Sequence, residues 1–321
     1  MSIIKLPENL VCLYRHWPLH VCLSENASPT PTPMSSLDNK MLGEISWFVK
    51  ERISIWKKKT GGASPPFTED PTLVTYKFCN IFREFDRQTI EFHTLLNPLR
   101  DNFPLWLLNM FYCRMVARPE TIKYSGFLSF NEENNGSVYE KLMDSSRPRF
   151  GTPYVFPISV IQRGPTPTRE LFIAFHLPAV MLQIAKEIIS WRRSSVYEGV
   201  RRILPIFQYD LRFHWTEVLI DVAYQFPDLV NLFGRFPTGP GAVPTLSRIV
   251  PNQDPSFLVV DLSNQNINTG ITYKGNYLKL SAENWEGIAC EFRKYTNLKQ
   301  GHGRRRLYKS EHSNAVNSTL F

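Results

Sequence analysis

The feature that most constrains the fold of this chain is the recurrence of apolar residues at spacings of three and four. Between Leu37 and Lys59 these residues form one stripe, namely Leu42, Ile45, Val49, Ile53 and Trp56. This spacing places side chains on one face of an α-helix. A basic end and the pair Gly61–Gly62 are typical of a helix C-terminus. The sequence therefore predicts a helix over 37–59 that packs against a core.

The same pattern predicts more helices and little β-structure. Helices are expected at 104–117, 170–190, 194–203, 211–225 and 281–297, and 226–250 is expected to form a helix, a tight turn and a second helix. Residues 124–170 are expected to be mostly loops with a short extended piece at 154–160. Residues 256–280 are the most strand-like part. The predicted fold class is mainly α, with a minor β element.

Composition bounds the class of protein. The chain has 321 residues, 43% of them hydrophobic, which suffices for a real core. Its net charge of +8 suits either a polyanionic partner or plain solubility, and charge alone does not separate these. The five cysteines are scattered and form no CxxC pair, so free thiols are expected, and no metal site or cofactor is predicted.

Three segments are predicted from local composition. Residues 1–36 are expected to form an N-terminal appendage that ends in a Pro/Ser/Thr-rich linker, 37–310 a helical domain, and 311–321 a tail. No run of eighteen apolar residues occurs, so no membrane span is expected. Charged residues interrupt the N-terminal apolar run, which argues against a signal peptide.

The stretch 68–89, TEDPTLVTYKFCNIFREFDRQT, combines capping signals, aromatic residues and charges. Asp70 is a candidate N-cap and Pro71 suits the first helical position. The polar members Asn80, Arg83 and Arg87 are predicted to share one helical stripe, with Asp86 at its edge. They form either a solvated outer face or a lined pocket that binds phosphate, and spacing alone favours the solvated face.

Three further segments carry candidate contacts. The turn Thr238–Ala242 is predicted to be the hairpin of a helix-hairpin-helix element, or else an ordinary Gly/Pro turn, and Arg235 and Arg248 flank it. Asp210 is predicted to be either an N-cap or a site carboxylate paired with Arg212. The segment GHGRRRLY at 301–308 suits a nucleic-acid backbone or a solvated tail.

Four segments in this order resemble the phage thymine-hypermodification proteins: ERISIWKKKTGGASPPFTEDP, FCNIFREFDRQT, FQYDLRFH followed by GPGA, and CEFRKYTNLKQGHGRRRLY. One branch of that family comprises α-glutamyl/putrescinyl-thymine pyrophosphorylases, also called amino acid:DNA transferases. Another is the helical domain attached to 5-hydroxymethyl-deoxyuridine DNA kinases. The resemblance covers roughly residues 48–310. It implies a fold related to helix-hairpin-helix DNA glycosylases.

The resemblance implies a set of site residues. The family motifs fall on Arg52, Asp70, Asn80, Arg83, Asp86, Arg87, Asp210, Gly239 to Ala242, Glu291 and Arg304 to Tyr308. Of these, Asn80, Arg83, Asp86, Arg87 and Asp210 are the expected catalytic residues. The expected DNA contacts are Gly239, Gly241, Ala242, Arg248, Arg304, Arg305, Arg306 and Tyr308. The chain departs from the kinase branch because it lacks a P-loop, and from the usual family pattern because Val243–Pro244 follow GPGA.

The chemistry implied is replacement of the pyrophosphate on 5-pyrophosphoryloxymethyl-deoxyuridine in DNA by an amine. The expected partners are double-stranded DNA with a modified thymine and a free amino acid or polyamine. The alternatives are a glycosylase-like or non-catalytic module that recognises a modified base, and a protein-interaction domain whose charges form a buried network. The expected location is the cytoplasm of a phage-infected cell, or the nucleus of a eukaryote.

Overall fold

The computed structural model describes residues 4–5, 8–14, 22–23, 38–144, 146–151, 156–162, 164–265, 267, 269–273, 275–303 and 307. Its α-helices are α1 Glu8–Leu13, α2 Asn39–Thr60, α3 Pro71–Thr75, α4 Arg87–Leu96, α5 Phe103–Val116, α6 Pro119–Ser125, α7 Glu132–Met143, α8 Ile158–Ile161, α9 Arg169–Leu171, α10 Leu177–Ile189, α11 Val196–Phe207, α12 Arg212–Gln225, α13 Val243–Ile249, α14 Pro255–Ser263 and α15 Ala282–Lys299. A 3₁₀ turn covers Arg83–Phe85, and a π-helical turn covers Phe172–His176.

The strands are short: β1 Ile4–Lys5, β2 Cys22–Leu23, β3 Ser194–Ser195, β4 Val230–Asn231, β5 Ile271–Tyr273 and β6 Asn276–Leu278. They form one sheet of order β1-β5-β6-β2 and a parallel β3-β4 pair. In the larger sheet β1 pairs parallel to β5, and the other pairs are antiparallel. The predicted fold class, mainly α with little β, is confirmed.

The chain divides into two compact units. Unit 1 comprises Met1–Leu6, Val21–Arg83 and Thr238–Phe321, and unit 2 comprises Pro7–His20 and Glu84–Pro237. The helix α15 is central to unit 1, where α2, α3, α13 and α14 pack against it. The helix α5 is central to unit 2, where it packs against α4, α10 and α12. The domain boundaries expected from composition remain predictions.

Most of the predicted helices are confirmed. The helix expected at 37–59 is α2, and Asp38 caps it by accepting from the amide of Met41 at 3.0 Å. The helices expected at 104–117, 194–203, 211–225 and 281–297 are α5, α11, α12 and α15. The helix expected at 170–190 is present as α9 and α10, joined by the π-helical turn.

The stretch 68–89 does not form one helix, so its polar residues share no single stripe. Asp70 caps α3 as predicted, with Pro71 at the first position. The helix ends because Tyr76 adopts an extended backbone and forms a β-bridge with Leu307. A 3₁₀ turn follows at Arg83–Phe85, and α-helix resumes only with α4, whose N-cap residue Asp86 has an extended backbone. Tertiary contacts override helical propensity here.

Three further predictions are wrong in part. No helix lies between Phe226 and Ala242, where β4 and turns are found, so only the second helix of the expected helix–turn–helix is present, as α13. The apolar run at 256–263 is the helix α14, because Asp254 caps it and Pro255 starts it. Within 124–170, α7 replaces an expected loop, and 158–161 is helical rather than extended.

One helical stretch in the described chain, Arg169–Ile189, is long and apolar enough to cross a membrane by length and composition. Half of its most apolar 18-residue segment is buried inside the protein. Core helices pass the same test, so this stretch is weak evidence for a membrane span.

Candidate functional site

The polar residues of α15 hold two non-helical segments of unit 1. We call these segments loop 77–82 and the GPG turn, Gly239–Ala242. Glu286, Cys290 and Arg293 face the GPG turn, at helical spacings of four and three. Asn284, Glu291 and Lys294 face loop 77–82. Two adjacent stripes of one helix therefore organise two segments that are far apart in sequence.

Loop 77–82 is fixed from two sides through its backbone. From α2, Arg52 donates through Nη2 to the carbonyls of Phe78 at 3.2 Å and Cys79 at 3.0 Å. From α15, Glu291 accepts the amide of Cys79 at 2.9 Å, and Lys294 donates to the carbonyl of Lys77 at 2.6 Å. These bonds replace the helical hydrogen bonds that the loop lacks.

The loop presents Cys79 and Asn80 from this fixed backbone, beside the exposed Lys77 at its start. Cys79 is exposed and Asn80 is half-buried, whereas Phe78, Ile81 and Phe82 are buried. The Arg52 guanidinium lies 5.5 Å from the Phe78 ring centroid and Lys294 lies 4.6 Å from it. A loop whose apolar side chains are anchored and whose backbone bonds are satisfied can position Asn80 with little conformational freedom.

Asp70 links the start of α3 to α15. One carboxylate oxygen accepts from the Leu73 amide at 2.9 Å, and the other accepts from the Tyr295 hydroxyl at 2.8 Å. Burial and the neighbouring Asp70 raise the pKa of the Tyr295 hydroxyl, so this group stays a proton donor. The role of Asp70 is therefore structural, and it sets where loop 77–82 begins.

The GPG turn is held as tightly as the loop. The Gly239 amide donates to Glu286 Oε1 at 3.1 Å, and Arg293 donates to the carbonyl of Pro240 at 2.7 Å. A Cβ atom on Gly241 would lie 2.5 Å from Cys290 Sγ, which explains why glycine is needed there. The amide of Ala242 donates to Gly239 at 3.0 Å. The amides of Gly239 and Ala242 are thus engaged within unit 1.

Glu286 is the carboxylate with the most unusual environment in this region. Burial raises its pKa, whereas the Gly239 amide and the positive charge of Arg83 oppose that rise. Glu291 adds a further like charge that raises the pKa. A carboxylate whose pKa is raised by burial is a stronger proton acceptor than one at its ordinary pKa.

The predicted catalytic residues are divided between the two units. Asn80 and Arg83 lie in unit 1, and both are half-buried. Asp86 and Arg87 lie in unit 2, where Arg87 pairs with Glu91 at 3.1 Å and its side chain is 72% exposed. That exposure fits the solvated-face interpretation for Arg87.

Asp210 also lies in unit 2. Both of its carboxylate oxygens accept from Arg212, at 2.7 and 2.8 Å, and these bonds lower its pKa. Leu211, rather than Asp210, is the N-cap residue of α12, so the capping alternative is wrong and the pairing with Arg212 is confirmed. A carboxylate with a lowered pKa is a weak proton acceptor.

The predicted DNA contacts are only partly described. Arg248 lines a cleft of about 300 Å³ between α2, α13 and α15, together with Arg293. Gly239, Gly241 and Ala242 lie in the GPG turn. The predicted contacts Arg304, Arg305, Arg306 and Tyr308 lie outside the described residues. Among the described residues, no group of three or more His, Cys, Asp or Glu side chains could hold a metal ion.

Analysis of the sequence missed three residues that the structure brings into this region: Glu286, Arg293 and Lys294. A helical projection of 282–299 could have found them, because Glu286 and Arg293 recur at one spacing of seven and fall on a polar stripe. Their partners could not be found in this way, since backbone groups of a distant loop carry no side-chain signal.

The fold and site define a helical protein in which charged side chains fix irregular segments around one helix. Comparison with known proteins adds a partial similarity. The family described as 5-hmdU DNA kinase, helical domain, matches residues 39–125. This stretch runs from α2 to α6 and includes Arg52, loop 77–82 and Asp86.

A curated relative, the 5-hmdU DNA kinase of Bacillus phage SP10, is 37% identical over 83 residues. The match covers 24% of this chain and 13% of the relative, so it spans a small part of that kinase. The GPG turn and α15 lie beyond the residues that the family matches. No solved structure matches the chain.

Proposed function

We propose that this chain acts on a modified thymine in phage DNA, where it replaces the pyrophosphate of 5-pyrophosphoryloxymethyl-deoxyuridine by an amine. The observation that carries this proposal is the arrangement around α15. Arg52 and Glu291, from separate family-like segments, both bond to the backbone of loop 77–82, which carries Asn80, and Gly239 of a third segment bonds to Glu286 of α15. The similarity of 39–125 to the helical domain of a 5-hmdU DNA kinase supports a substrate of this kind.

The proposed reaction is a substitution at the C5-methylene carbon. The amine nitrogen forms a bond to that carbon, and the carbon–oxygen bond breaks so that pyrophosphate leaves with the electron pair. A carboxylate first takes a proton from the incoming ammonium, so that the free amine can attack. The base has to leave the helical stack to be reached, at a cost of roughly a few kcal/mol.

The chain offers groups for each of these tasks. We propose that Arg83 neutralises the departing pyrophosphate and that Asn80 reads the uracil edge with its amide. For the proton we propose Glu286, which lies in unit 1 with Arg83 and Asn80, whereas the predicted carboxylates Asp86 and Asp210 lie in unit 2 and stay predictions. Glu286 is half-buried, its pKa is raised, and Arg83 lies close enough to influence it.

Contact with DNA is proposed through side chains rather than through the amides of the GPG turn. A phosphate at Gly239 would have to displace the carboxylate of Glu286 from the amide, and the two anions repel each other. Arg248 and Arg293 line a cleft and can pair with backbone phosphates. The relation to helix-hairpin-helix glycosylases stays a prediction that rests on the GPG turn and α13.

One observation favours a second function. The matched family is the helical domain of a kinase and not its phosphate-transferring part, and this sequence has no P-loop. The chain could then recognise the modified base without changing it, as a non-catalytic DNA-binding module. A glycosylase-like activity, in which the base is lost from DNA, is the other form of this alternative.

The decisive experiment is incubation of the full chain with DNA that bears 5-pyrophosphoryloxymethyl-deoxyuridine and a pool of amino acids and polyamines. Nucleoside mass spectrometry then detects the product. We expect a new amine adduct and an equal amount of released pyrophosphate. DNA binding without an adduct would support the recognition module, and free base would support a glycosylase.

Variants test the site within the same assay. Arg83→Ala is expected to reduce adduct formation at least about a hundredfold, in the range seen when one group that stabilises a developing negative charge is removed. Arg201→Ala is the matched control, because Arg201 pairs only with Glu198 on an exposed helix face at 3.3 Å. Full activity of a folded Arg83→Ala protein would remove Arg83 from the mechanism.

A further inference from the structure

Unit 2 contains a buried arginine, Arg169, that forms no salt bridge with another described residue. Arg169 is only 9% exposed, and its guanidinium carbon lies 3.9 Å from the ring centroid of Phe150 and 4.7 Å from that of Phe156. Its Nε–H is buried and has no acceptor among the residues that the structure describes. The adjacent Glu170 carboxylate is bonded to Arg149 at 2.6 Å. Aromatic rings attract the charge of Arg169 but offer its Nε–H no hydrogen-bond acceptor.

A histidine lies against one of the same rings. The ring centroid of His214 is 5.4 Å from that of Phe156, and the residue is 1% exposed. Within the described part of the chain, neither of its ring nitrogens has a hydrogen-bond partner. Burial and the positive charge of Arg169 lower the pKa of His214 to about 4, and burial lowers that of Arg169 to about 10. The surroundings of Arg169 and His214 therefore destabilise a positive charge on either side chain.

Buried polar groups are nearly always paired, so two adjacent unpaired ones require an explanation. A water molecule could bond to a neutral imidazole, but it would not compensate the charge of a buried guanidinium. An anion does both, since its oxygens accept from the arginine and from a histidine N–H. The neighbouring helix is π-helical over Phe172–His176, a distortion often found at functional sites.

We propose that Arg169 and His214 form a binding site for a small oxyanion, either a phosphate or a carboxylate. The site includes none of the residues to which the proposed function assigns a role, so it stands independently of that function. Phosphate and carboxylate each present a pair of oxygens that can accept two parallel N–H bonds from a guanidinium. Phosphate would point to a nucleotide or pyrophosphate as the ligand, and carboxylate to an amino acid.

The test is calorimetric titration of the full chain, without DNA, with phosphate, pyrophosphate, acetate or glutamate at constant ionic strength set by chloride. We expect saturable binding of one class, and at least tenfold weaker binding in Arg169→Met. Methionine fills similar volume without the charge. Arg201→Met, which alters an exposed pair, is the matched control and should bind as the unmodified chain does.

A second measurement keeps the test valid if Arg169→Met fails to fold. In the unmodified chain, the ¹⁵N resonances of the His214 ring should shift on addition of the bound anion, because a ring nitrogen gains an acceptor. Equal binding by Arg169→Met and the unmodified chain would overturn the proposal. So would the absence of binding by all four anions together with unchanged His214 resonances.

Discussion

The central helices of the two units, α5 and α15, differ in the polarity of their side chains and in what those side chains contact. From Trp106 to Val116 every residue of α5 is buried, and the only charged one, Arg114, is paired within the core of unit 2. The helix α15 is also surrounded by other helices, yet it carries Glu286, Glu291 and Lys294 on stripes that face backbone groups. A helix apolar on all sides acts as a scaffold, whereas α15 has polar stripes that order loops.

The ionic groups of the two units differ in the same way. In unit 2, Asp221 accepts from Arg114 Nε at 2.6 Å and lies 3.1 Å from His93 Nε2, and Gln225 bonds to the other nitrogen of His93 at 2.9 Å. These partners are side chains that satisfy one another out of solvent. In unit 1 the charges are directed at the backbone of loop 77–82 and the GPG turn. The side-chain network of unit 2 stabilises a core, whereas the charged side chains of unit 1 hold the backbone of loop 77–82 and the GPG turn in place.

The largest effect is expected from breaking the buried network of unit 2. Arg114→Met leaves Asp221 as a buried carboxylate without its main partner, which typically costs about 3–5 kcal/mol. We expect a fall of that size in the free energy of unfolding, measured by urea denaturation followed by circular dichroism. The exposed variant Arg201→Met should change it by less than about 0.5 kcal/mol. Equal effects of the two variants would contradict a structural role for the network.

The pH dependence of stability sharpens the same contrast. Burial lowers the folded-state pKa of His93 below its usual value, and that of His214 to about 4, so the unfolded chain binds more protons below pH 6.5. Stability is therefore lost as pH falls. The contribution of His214 between pH 7 and 5 is about 2 kcal/mol. Asp221, whose pKa Arg114 keeps low, adds a further loss only below about pH 4.

His214→Phe separates the histidine from other acid effects. In buffer without phosphate or carboxylate ions, this variant should show a flatter fall in the free energy of unfolding between pH 7 and 5. The measurement is a series of urea denaturation curves at fixed ionic strength. A fall as steep as that of the unmodified chain would show that His214 is not a source of the pH dependence.

A substitution that disturbs the packing of the GPG turn on α15 is expected to have a smaller effect on the free energy of unfolding. Gly241→Ala places a Cβ 2.5 Å from Cys290 Sγ, and overpacking of this kind costs about 1–3 kcal/mol. We expect the lower end, because the sulfur can rotate. Adding Cys290→Ala to Gly241→Ala should recover most of the loss, as thermal unfolding can show. No recovery would mean that the strain lies in the turn and not in its contact with α15.

The smallest effect on the free energy of unfolding is expected from a substitution in α2, away from the buried network of unit 2 and from the segments that α15 holds. Gly43 lies inside this helix, and a Cβ there would meet nothing within 4 Å. Gly43→Ala should therefore raise the free energy of unfolding by about 0.5–1 kcal/mol through helix propensity alone. A decrease in thermal unfolding temperature would show that α2 is not packed as described.

The sequence predicted elements whose patterns are local. The helix α2 follows from its apolar stripe and the Asp38 cap, and α3 from Asp70 and Pro71. The stretch 256–263 was mistaken for a strand because a short apolar run does not separate a buried helix from a strand. Its Asp254–Pro255 start was the signal that could have decided the matter.

The site was less predictable because its order comes from distant contacts. Asn80 and Arg83 were expected on an α-helix. The bonds from Arg52 and Glu291 to the backbone of Phe78 and Cys79 explain why no α-helix forms at loop 77–82. No local pattern in 77–82 contains those partners. The resemblance placed Arg52 and Glu291 in one motif set, but their contacts with the loop required the fold.

The most direct test of the central claim is hydrogen exchange of the full chain with and without DNA that bears 5-pyrophosphoryloxymethyl-deoxyuridine, in the absence of any amine. If loop 77–82 and the cleft beside the GPG turn form the working surface, peptides covering 77–82 and 239–248 should gain protection on binding. Unmodified DNA should protect them less. Saturable binding that leaves both peptides unchanged, with protection confined to other segments, would contradict the account.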